Sequence, residues 1–166
     1  MYQLQVLQTE HWQRLLEFEL DNQQWFEKWI SPRPEGFYQR QIFLQNIKSL
    51  VRQSPDTDYA MYLYFDAQNI LGRFNIINID RKTAEIGYRL AERATGKGIA
   101  TTGLQALMVE AKNRLKLQQL TARVTIDNIA SQKVLLNNGF VRQQNTDNFI
   151  LVNAVEIEVL HFNVQL

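Results

Sequence analysis

The feature that most constrains the fold is a glycine-containing segment between a predicted strand and a predicted helix. Residues 93–101 (RATGKGIAT) directly follow the strand-like run 84–90 (AEIGYRL) and open a long amphipathic segment. At such a turn several backbone N–H groups point outward at the positive end of the helix, an arrangement that binds phosphate. Glycine lets the backbone approach a ligand without a Cβ clash. The segment therefore predicts a site for a phosphate-bearing ligand.

Two common phosphate-binding motifs fit this segment poorly. A Walker A loop needs Gly five residues before its Gly-Lys pair and Ser or Thr after it, whereas Ala91 and Gly98 occupy those positions. A dinucleotide-binding fingerprint that began at Gly96 would need Gly or Ala at position 101, which is Thr101. That fingerprint also follows the first strand of its unit, and three strand candidates precede this segment. Both motifs are therefore disfavoured.

The segment does match the pattern Gln/Arg-x-x-Gly-x-Gly/Ala, through Arg93, Gly96 and Gly98. A second motif follows downstream, so that residues 85–101 (EIGYRLAERATGKGIAT) and 127–140 (DNIASQKVLLNNGF) form an ordered pair. In these two segments the chain resembles the GNAT N-acetyltransferase superfamily. It looks most like the Rim-type branch, which acetylates protein N-termini, including those of ribosomal proteins.

The composition is that of a chain able to bury one sizeable core. The chain has 166 residues, 45% of them apolar, and a net charge of +1, so we expect a single domain over residues 1–166. This charge gives no general attraction to nucleic acid or to an anionic membrane, and neither is expected as a partner. The chain has no Cys, so no disulfide, thiolate metal site or cysteine nucleophile is expected, and no metal. Residues 1–7 lack a signal-peptide pattern and no apolar run is long enough to span a bilayer, so a cytoplasmic location is predicted.

Hydrophobic periodicity predicts an α/β chain. Strands are predicted at residues 2–7, 59–65, 70–79, 83–90, 120–126, 140–142, 148–152 and 155–164. Helices are predicted at residues 10–20 with Thr9 as N-cap, at 37–52, from near Lys97 to about 115, and from a cap at Asp127 or Asn128 to 138, followed by a left-handed Gly139. A short helix around residues 25–29 and a breaker at 54–56 complete the pattern. By resemblance this is the GNAT fold, a mixed, mostly antiparallel central sheet flanked by helices, whose fourth and fifth strands splay apart to admit a pantetheine arm.

The resemblance implies acetyl-CoA as co-substrate. Its pyrophosphate would lie on the glycine loop, whose implied binding residues are Arg93, Gly96, Lys97, Gly98, Ile99, Ala100 and Thr101. The backbone around Leu90 and Ala91 would face the pantetheine amides in the manner of an added strand. One N–H group there would stabilise the oxygen that becomes negative when the thioester is attacked. The alternative interpretation of the loop is an ordinary helix start with glycines for packing.

Rim-type sequences carry Asn-x-x-Ser after the fifth strand, which Asn128 and Ser131 match. The resemblance implies that Asn128 hydrogen-bonds pantetheine and that Ser131 points at the CoA sulfur. The alternative is that they are only an N-cap and a first-turn residue, positions that favour the same residue types. Many members carry Tyr four residues before the Gly-Phe pair to protonate the leaving thiolate, and that position is Leu135 here. The proton would then come from Ser131 or water, or none is required at the rate-limiting step.

Glu85 is the candidate base, because related enzymes often place a carboxylate on the fourth strand. A free α-amine has a pKa near about 8 and is partly neutral at cytosolic pH, so a weak base acting through water suffices. The alternative is that Glu85 only holds a neighbouring polar group, such as Arg89 on the same strand face.

The predicted activity is acetyl transfer from acetyl-CoA to a primary amine, with a protein N-terminal α-amine as the favoured acceptor. Direct transfer in a ternary complex is expected, because no Cys exists to carry an acetyl group. Two alternatives stay open: an acetyltransferase of small amines (polyamine, amino acid or antibiotic), and an acyl-CoA-binding sensor without turnover. The acceptor pocket is expected near the N-terminal helices and the last hairpin. The aromatic residues there are interpreted as core rather than pocket; they are Trp25, Trp29, Phe37 and Tyr38.

Overall fold

The computed structural model describes residues 1–53, 59–67, 69–144, 148–152 and 154–166. Its strands are β1 (Tyr2–Val6), β2 (Tyr59–Asp66), β3 (Asn69–Asp80), β4 (Thr83–Leu90), β5 (Gln119–Thr125), β6 (Val141–Arg142), β7 (Asn148–Val152) and β8 (Val155–Gln165). Its helices are α1 (Trp12–Asp21), α2 (Gln23–Phe26), α3 (Arg40–Gln53), α4 (Ile99–Asn113) and α5 (Ile129–Asn137), with short 3-10 turns at Thr9–His11 and Glu92–Ala94. The predicted breaker at 54–56 lies outside the described residues, as does residue 68 of the segment 66–69, which is predicted to join the strands 59–65 and 70–79 as a hairpin turn.

The strands form one mixed sheet in the order β1-β2-β3-β4-β5-β8-β6, with β7 also paired to β8. The β4–β5 pair is parallel, and the other pairs between described strands are antiparallel. The predicted α/β class and mostly antiparallel sheet are confirmed. None of the helices that the structure describes is long and apolar enough to cross a membrane.

The strands β4 and β5 part from each other at their C-terminal ends. Their parallel pairing runs from Thr83 opposite Gln119 to Ile86 opposite Ala122. Beyond this point β4 stays paired with β3 as far as Leu90, and β5 stays paired with β8 over its whole length. Both strands lie wholly within the described part of the chain, so the loss of pairing is a real wedge in the sheet. The predicted splay of the fourth and fifth strands is confirmed.

Helices α4 and α5 cover one face of the sheet at this wedge. The Tyr88 ring stacks on Phe74 of β3, with centroids 5.5 Å apart, and its hydroxyl reaches Ser131 of α5. Phe74 in turn lies against α4 at Gly103, where a Cβ built on the glycine would be 2.4 Å from the ring. Glycine is therefore required for α4 to approach the sheet this closely.

Helices α1 and α2 cover the opposite face. Side chains alternate along a strand, so Arg89 points away from the face that carries its neighbour Tyr88. The Arg89 guanidinium lies 3.6 Å from Glu19 of α1 and over the Phe26 ring of α2. The wedge between β4 and β5 therefore connects a face covered by α4 and α5 to one covered by α1 and α2.

Three helix starts differ from the sequence prediction. Helix α4 begins at Ile99 rather than near Lys97, because Gly98 has a left-handed φ of 74° that no α-helical residue adopts. Thr9 is not an N-cap; it lies within a 3-10 turn capped by Gln8, and α1 follows that turn. Helix α3 begins at Arg40 rather than residue 37, because a turn around Gly36, whose φ is 78°, precedes it.

The predicted ends of α5 are confirmed. The Asn128 side chain accepts a hydrogen bond from the Ser131 backbone N–H at 3.1 Å, which makes Asn128 the N-cap. Gly139 follows the helix with a φ of 80°, the left-handed conformation that ends many helices.

Candidate active site

A cleft of about 960 Å³ opens where β4 and β5 part. It is lined by residues 85–90 of β4, residues 122–125 of β5, the loop before α4 with the first turn of that helix, and residues along α5 from its cap at Asn128 to Asn137. Trp25, Phe26 and Trp29 line it from the side of α1 and α2. The cleft therefore offers one entrance on each face of the sheet.

The loop before α4 has the backbone conformation that its glycines predict. Gly96 and Gly98 have φ values of 71° and 74°, a region that other residues adopt only with strain. A Cβ built on either glycine meets no heavy atom within 4 Å. The space over this backbone is therefore open to a ligand.

Six consecutive backbone N–H groups, from Gly96 to Thr101, donate to none of the described residues. The first backbone hydrogen bond at the start of α4 runs from the Thr102 N–H to the Gly98 carbonyl, at 3.1 Å. Unpaired donors at the positive end of a 15-residue helix form an anion site. Arg93 and Lys97 lie exposed on the same loop and add positive charge.

Leu90 directs its backbone polar groups into the wedge, whereas Ala91 does not. The Ala91 N–H donates to the Leu71 carbonyl at 2.8 Å, and its carbonyl accepts from the Ala94 N–H at 2.9 Å. Residues of an antiparallel pair alternate in bonding to the partner strand, so Leu90, opposite Gly72, turns its N–H and C=O away from β3 and toward β5. The Ala91 N–H and carbonyl are therefore already paired within the protein, and Leu90 is the better placed of the two residues to face a ligand. That the backbone around Leu90 and Ala91 faces the pantetheine amides stays a prediction.

Two hydroxyl groups meet inside the cleft. The Tyr88 hydroxyl lies 2.8 Å from Ser131 Oγ, where either atom can be the donor, and 3.3 Å from the Ser131 carbonyl oxygen. Burial raises the pKa of Tyr88 to about 12, partly offset by the hydrogen bond with Ser131. Tyr88 is therefore a protonated hydrogen-bond donor at neutral pH, and Ser131 carries a second hydroxyl hydrogen bonded to it.

Both carboxylate oxygens of Glu85 are held by side chains of neighbouring strands. Its Oε1 accepts from Arg123 Nε at 2.8 Å and its Oε2 accepts from Asn78 Nδ2 at 3.2 Å. Arg89, the predicted alternative partner, pairs with Glu19 instead, because its side chain reaches across to α1. Glu85 still lines the cleft, so it combines a structural ion pair with access to a bound ligand.

Arg89 belongs to a buried charged cluster on the α1 side of the sheet. Glu19 is only 1% exposed; its Oε1 accepts a short hydrogen bond from Arg73, and its Oε2 lies 3.6 Å from Arg89 Nη1. Burial, with Arg73 as the next cause, lowers the pKa of Arg89 to about 9. The guanidinium is still charged at neutral pH.

The sequence model of a family described as an acetyltransferase (GNAT) domain matches residues 3–141. The chain belongs to the GNAT acetyltransferase family. Its sequence is 37% identical to the ribosomal-protein-serine acetyltransferase of Escherichia coli (strain K12), in a match that covers 49% of this chain and 46% of that protein. The chain thus matches less than half the length of this relative.

Solved structures share the GNAT fold over nearly the whole chain. The ribosomal-protein-S5-alanine acetyltransferase of Vibrio fischeri superposes with a TM-score of 0.92 at 20% identity, over 99% of this chain and 92% of that one. The spermidine N-acetyltransferase of Vibrio cholerae, in complex with CoA and spermine, superposes with a TM-score of 0.80 at 18% identity, over 99% and 95% of the two chains. At these identities the likeness establishes the fold, and the acceptor must be inferred from the cleft itself.

Most of the predicted GNAT site residues meet in the cleft; they are Glu85, Leu90, Gly96, Gly98, Ile99, Ala100, Thr101, Asn128 and Ser131. Arg93 and Lys97 lie on the exposed loop beside it, and Ala91 is buried beneath it.

Tyr88 and Arg89 are among the residues lining the cleft that were not predicted as site residues, and Trp25 and Trp29, interpreted as core, also line it. Tyr88 and Arg89 lie within the segment 85–101 on which the resemblance rests. Their contact partners are on helices distant in sequence, and no local sequence pattern predicts those contacts. The core interpretation suits Phe37, which packs edge-on against both Tyr38 and the buried Phe43. Trp25 packs against the core and also lines the cleft.

Proposed function

We propose that this GNAT acetyltransferase takes acetyl-CoA as donor and a protein N-terminal α-amine as acceptor, by direct transfer while both are bound. The observation that carries the proposal is the row of six unpaired N–H groups from Gly96 to Thr101, at the mouth of the β4–β5 wedge. This row suits a pyrophosphate, and the wedge suits a narrow arm that brings a thioester to the opposite face. The absence of Cys from the sequence agrees with direct transfer.

Leu90 and Ser131 would act on the two ends of the bond that breaks. The Leu90 N–H, turned toward the wedge, would donate to the carbonyl oxygen as negative charge develops on it. The Ser131 hydroxyl would donate to the departing sulfur. Tyr88 would hold that hydroxyl in place by donating to its oxygen, since the two are 2.8 Å apart. This pair would replace the Tyr that position 135 lacks.

Glu85 would receive the proton that the amine loses, through a water molecule. Its carboxylate lies in the cleft on the face of α1 and α2, and the ion pair with Arg123 fixes it there. The demand on this base is small, because an α-amine with a pKa near about 8 is partly neutral at pH 7.

A polyamine is the second candidate acceptor, since a spermidine acetyltransferase shares the fold. The charge of the cleft argues against it. The charged residues described as lining the cleft are Glu85, Arg89, Arg123 and Lys133, and Glu85 is already paired with Arg123. A polycation would therefore meet net positive charge.

A turnover screen with acetyl-CoA tests the proposal, with release of free thiol as the readout. The acceptors are N-terminal peptides, the same peptides with a blocked α-amine, spermidine and free amino acids. We expect turnover with free N-terminal peptides and none with the blocked ones. Faster turnover of spermidine than of every peptide would contradict the proposed acceptor, and binding of acetyl-CoA with no turnover of any amine would contradict the proposed catalysis.

A further inference from the structure

The Arg89 guanidinium is a charged donor group with no hydrogen-bond partner among the described residues. Its Nη1 is buried and makes no hydrogen bond. Its contacts are the 3.6 Å ion pair with Glu19 and the face of the Phe26 ring, 5.6 Å away. A buried guanidinium usually fills its donor positions, because an unpaired charged group costs more to bury than a neutral one. Arg89 also lines the cleft, so a bound ligand can supply the acceptor atoms that are missing.

The cluster around Arg89 has more positive than negative charge. Glu19 is shared by two guanidinium groups, and Arg73 already makes the hydrogen bond to it. Arg33 lies close enough to lower the pKa of Arg89 further, whereas Tyr38 acts in the opposite direction. Glu19, Arg73 and Arg89 alone carry one net positive charge beside the cleft, and an anion there would compensate it.

The floor of the cleft beside Arg89 is open. Gly87 lies two residues earlier on the same strand face, and a Cβ built there meets no heavy atom within 4 Å. Trp25 and Trp29 line the same cleft. Two strand residues span about 6.6 Å, the length of about two residues of an extended peptide. An acceptor peptide whose amine reacts beside Leu90 and whose chain crosses the open space over Gly87 would therefore bring its second or third residue near the Arg89 side chain.

We infer that Arg89 binds an acidic side chain at the second or third position of the acceptor peptide, so that the enzyme prefers N-termini followed closely by Asp or Glu. The carboxylate would accept two hydrogen bonds from the guanidinium, the geometry in which arginine binds carboxylates most strongly. This inference rests on the proposed acetylation of N-terminal amines, and it specifies the substrate of the same cleft.

Matched peptides that begin with Ser test the inference. Asp, Asn or Lys is placed at position 2 in one series and at position 3 in another, with neutral residues elsewhere. For the wild-type enzyme we expect kcat/KM for the Asp peptide to exceed that of its Asn partner by about tenfold to a hundredfold in at least one series, with the Lys peptide slowest. Equal values for Asp and Asn in both series would overturn the inference while leaving the proposed function intact.

Variants of Arg89 separate substrate binding from a purely structural role. Arg89→Gln should lower turnover of the Asp peptide to that of the Asn peptide and leave the Asn peptide nearly unchanged. Arg89→Lys should restore part of the preference, and Arg89→Glu should favour the Lys peptide. Arg142→Gln, on exposed β6 and outside the cleft, is the matched control and should change neither rate. A loss by the same factor for all peptides in Arg89→Gln and Arg89→Lys would assign Arg89 to stabilising Glu19 alone and overturn the inference.

A free amino acid presents the same carboxylate chemistry without a peptide, so L-serine is assayed beside the peptides. If L-serine is acetylated faster than every peptide and loses this advantage in Arg89→Gln, the anion-binding role of Arg89 is supported and the proposed protein acceptor is contradicted. If L-serine is slower than the Asp peptide, the anionic group is that of a peptide side chain.

Discussion

At the scale of single residues, the sequence leaves open which group hydrogen-bonds the departing sulfur, because position 135 is not Tyr. Position 135 is Leu, buried and unable to donate a proton. Tyr88 reaches the same region from β4 and meets the Ser131 hydroxyl there. A tyrosine whose pKa is raised to about 12 is a poor proton source at neutral pH but a constant hydrogen-bond donor. We therefore assign it to positioning Ser131 rather than to proton transfer.

Ser131→Ala should lower turnover about tenfold to a hundredfold, because it removes a hydrogen bond to a developing thiolate. The affinity for acetyl-CoA should change little. Tyr88→Phe keeps the ring stacked on Phe74 and should lower turnover by a smaller factor. If Tyr88 acts through Ser131, the double variant should be no slower than Ser131→Ala alone.

Tyr64→Phe is the matched control for the Tyr88 and Ser131 variants. Tyr64 packs on the same Phe74 ring, but its hydroxyl donates to Thr102 rather than to a group in the cleft. Its removal should leave turnover unchanged. Additive losses in the Tyr88 and Ser131 double variant would show that the two hydroxyls act independently.

Glu85→Gln tests whether the Glu85 carboxylate acts as the base. If the carboxylate receives the amine proton, turnover should fall by about two to four orders of magnitude near pH 7. The deficit should shrink as the pH rises past the α-amine pKa of about 8, because the amine then loses its proton to solvent. A pH–rate profile measures this. A deficit that is constant at every pH would assign Glu85 to holding Arg123.

At the scale of elements, the loop between β4 and α4 is where backbone rather than side chains would bind the ligand. Two left-handed glycines turn the chain so that six N–H groups at the helix start have no partner in the described part of the chain. A substitution at Gly98 strains the left-handed backbone and places its side chain in the open space over the loop, since a Cβ built there meets no described heavy atom within 4 Å apart from its chain neighbours.

Gly98→Asp and Gly98→Asn form a matched pair for this loop. Asn and Asp both tolerate left-handed φ better than other residues, and they differ only in charge. We expect Gly98→Asp to weaken acetyl-CoA binding at least about tenfold more than Gly98→Asn, by repulsion of the pyrophosphate. The difference should shrink at high ionic strength, because the loop is exposed. Equal affinities in calorimetry would show that phosphate does not bind on this loop.

At the scale of the whole molecule, Glu19 links the N-terminal helix to the strands that form the cleft. Its carboxylate on α1 contacts Arg73 of β3 and Arg89 of β4. Glu19 and Arg73 are buried and Arg89 is half-buried, so the loss of the shared negative charge would leave two guanidinium groups uncompensated.

Glu19→Gln should lower the free energy of unfolding by about 3–5 kcal/mol, because breaking a buried ion pair leaves unpaired charge in the interior. Urea denaturation measures the change. Glu110→Gln removes the exposed partner of Arg114, 3.9 Å away, and should cost less than about 1 kcal/mol. Similar small changes in both variants would show that the buried cluster contributes no more than a surface pair.

The sequence by itself determined the parts of this protein that depend on neighbouring residues. Periodicity predicts most strands and helices, glycine spacing predicts the loop conformation, and the Asp127–Asn128 pair predicts the cap of α5, because turns and caps are satisfied within a few residues. The tertiary structure decided everything that joins distant segments. The Tyr88–Ser131 contact joins residues 43 apart, and Arg89 pairs with α1 rather than with Glu85. Ala91 loses its N–H to Leu71 on another strand. Such pairings depend on how the helices and strands pack together, because the local sequence of one strand does not distinguish between the distant residues that it could contact.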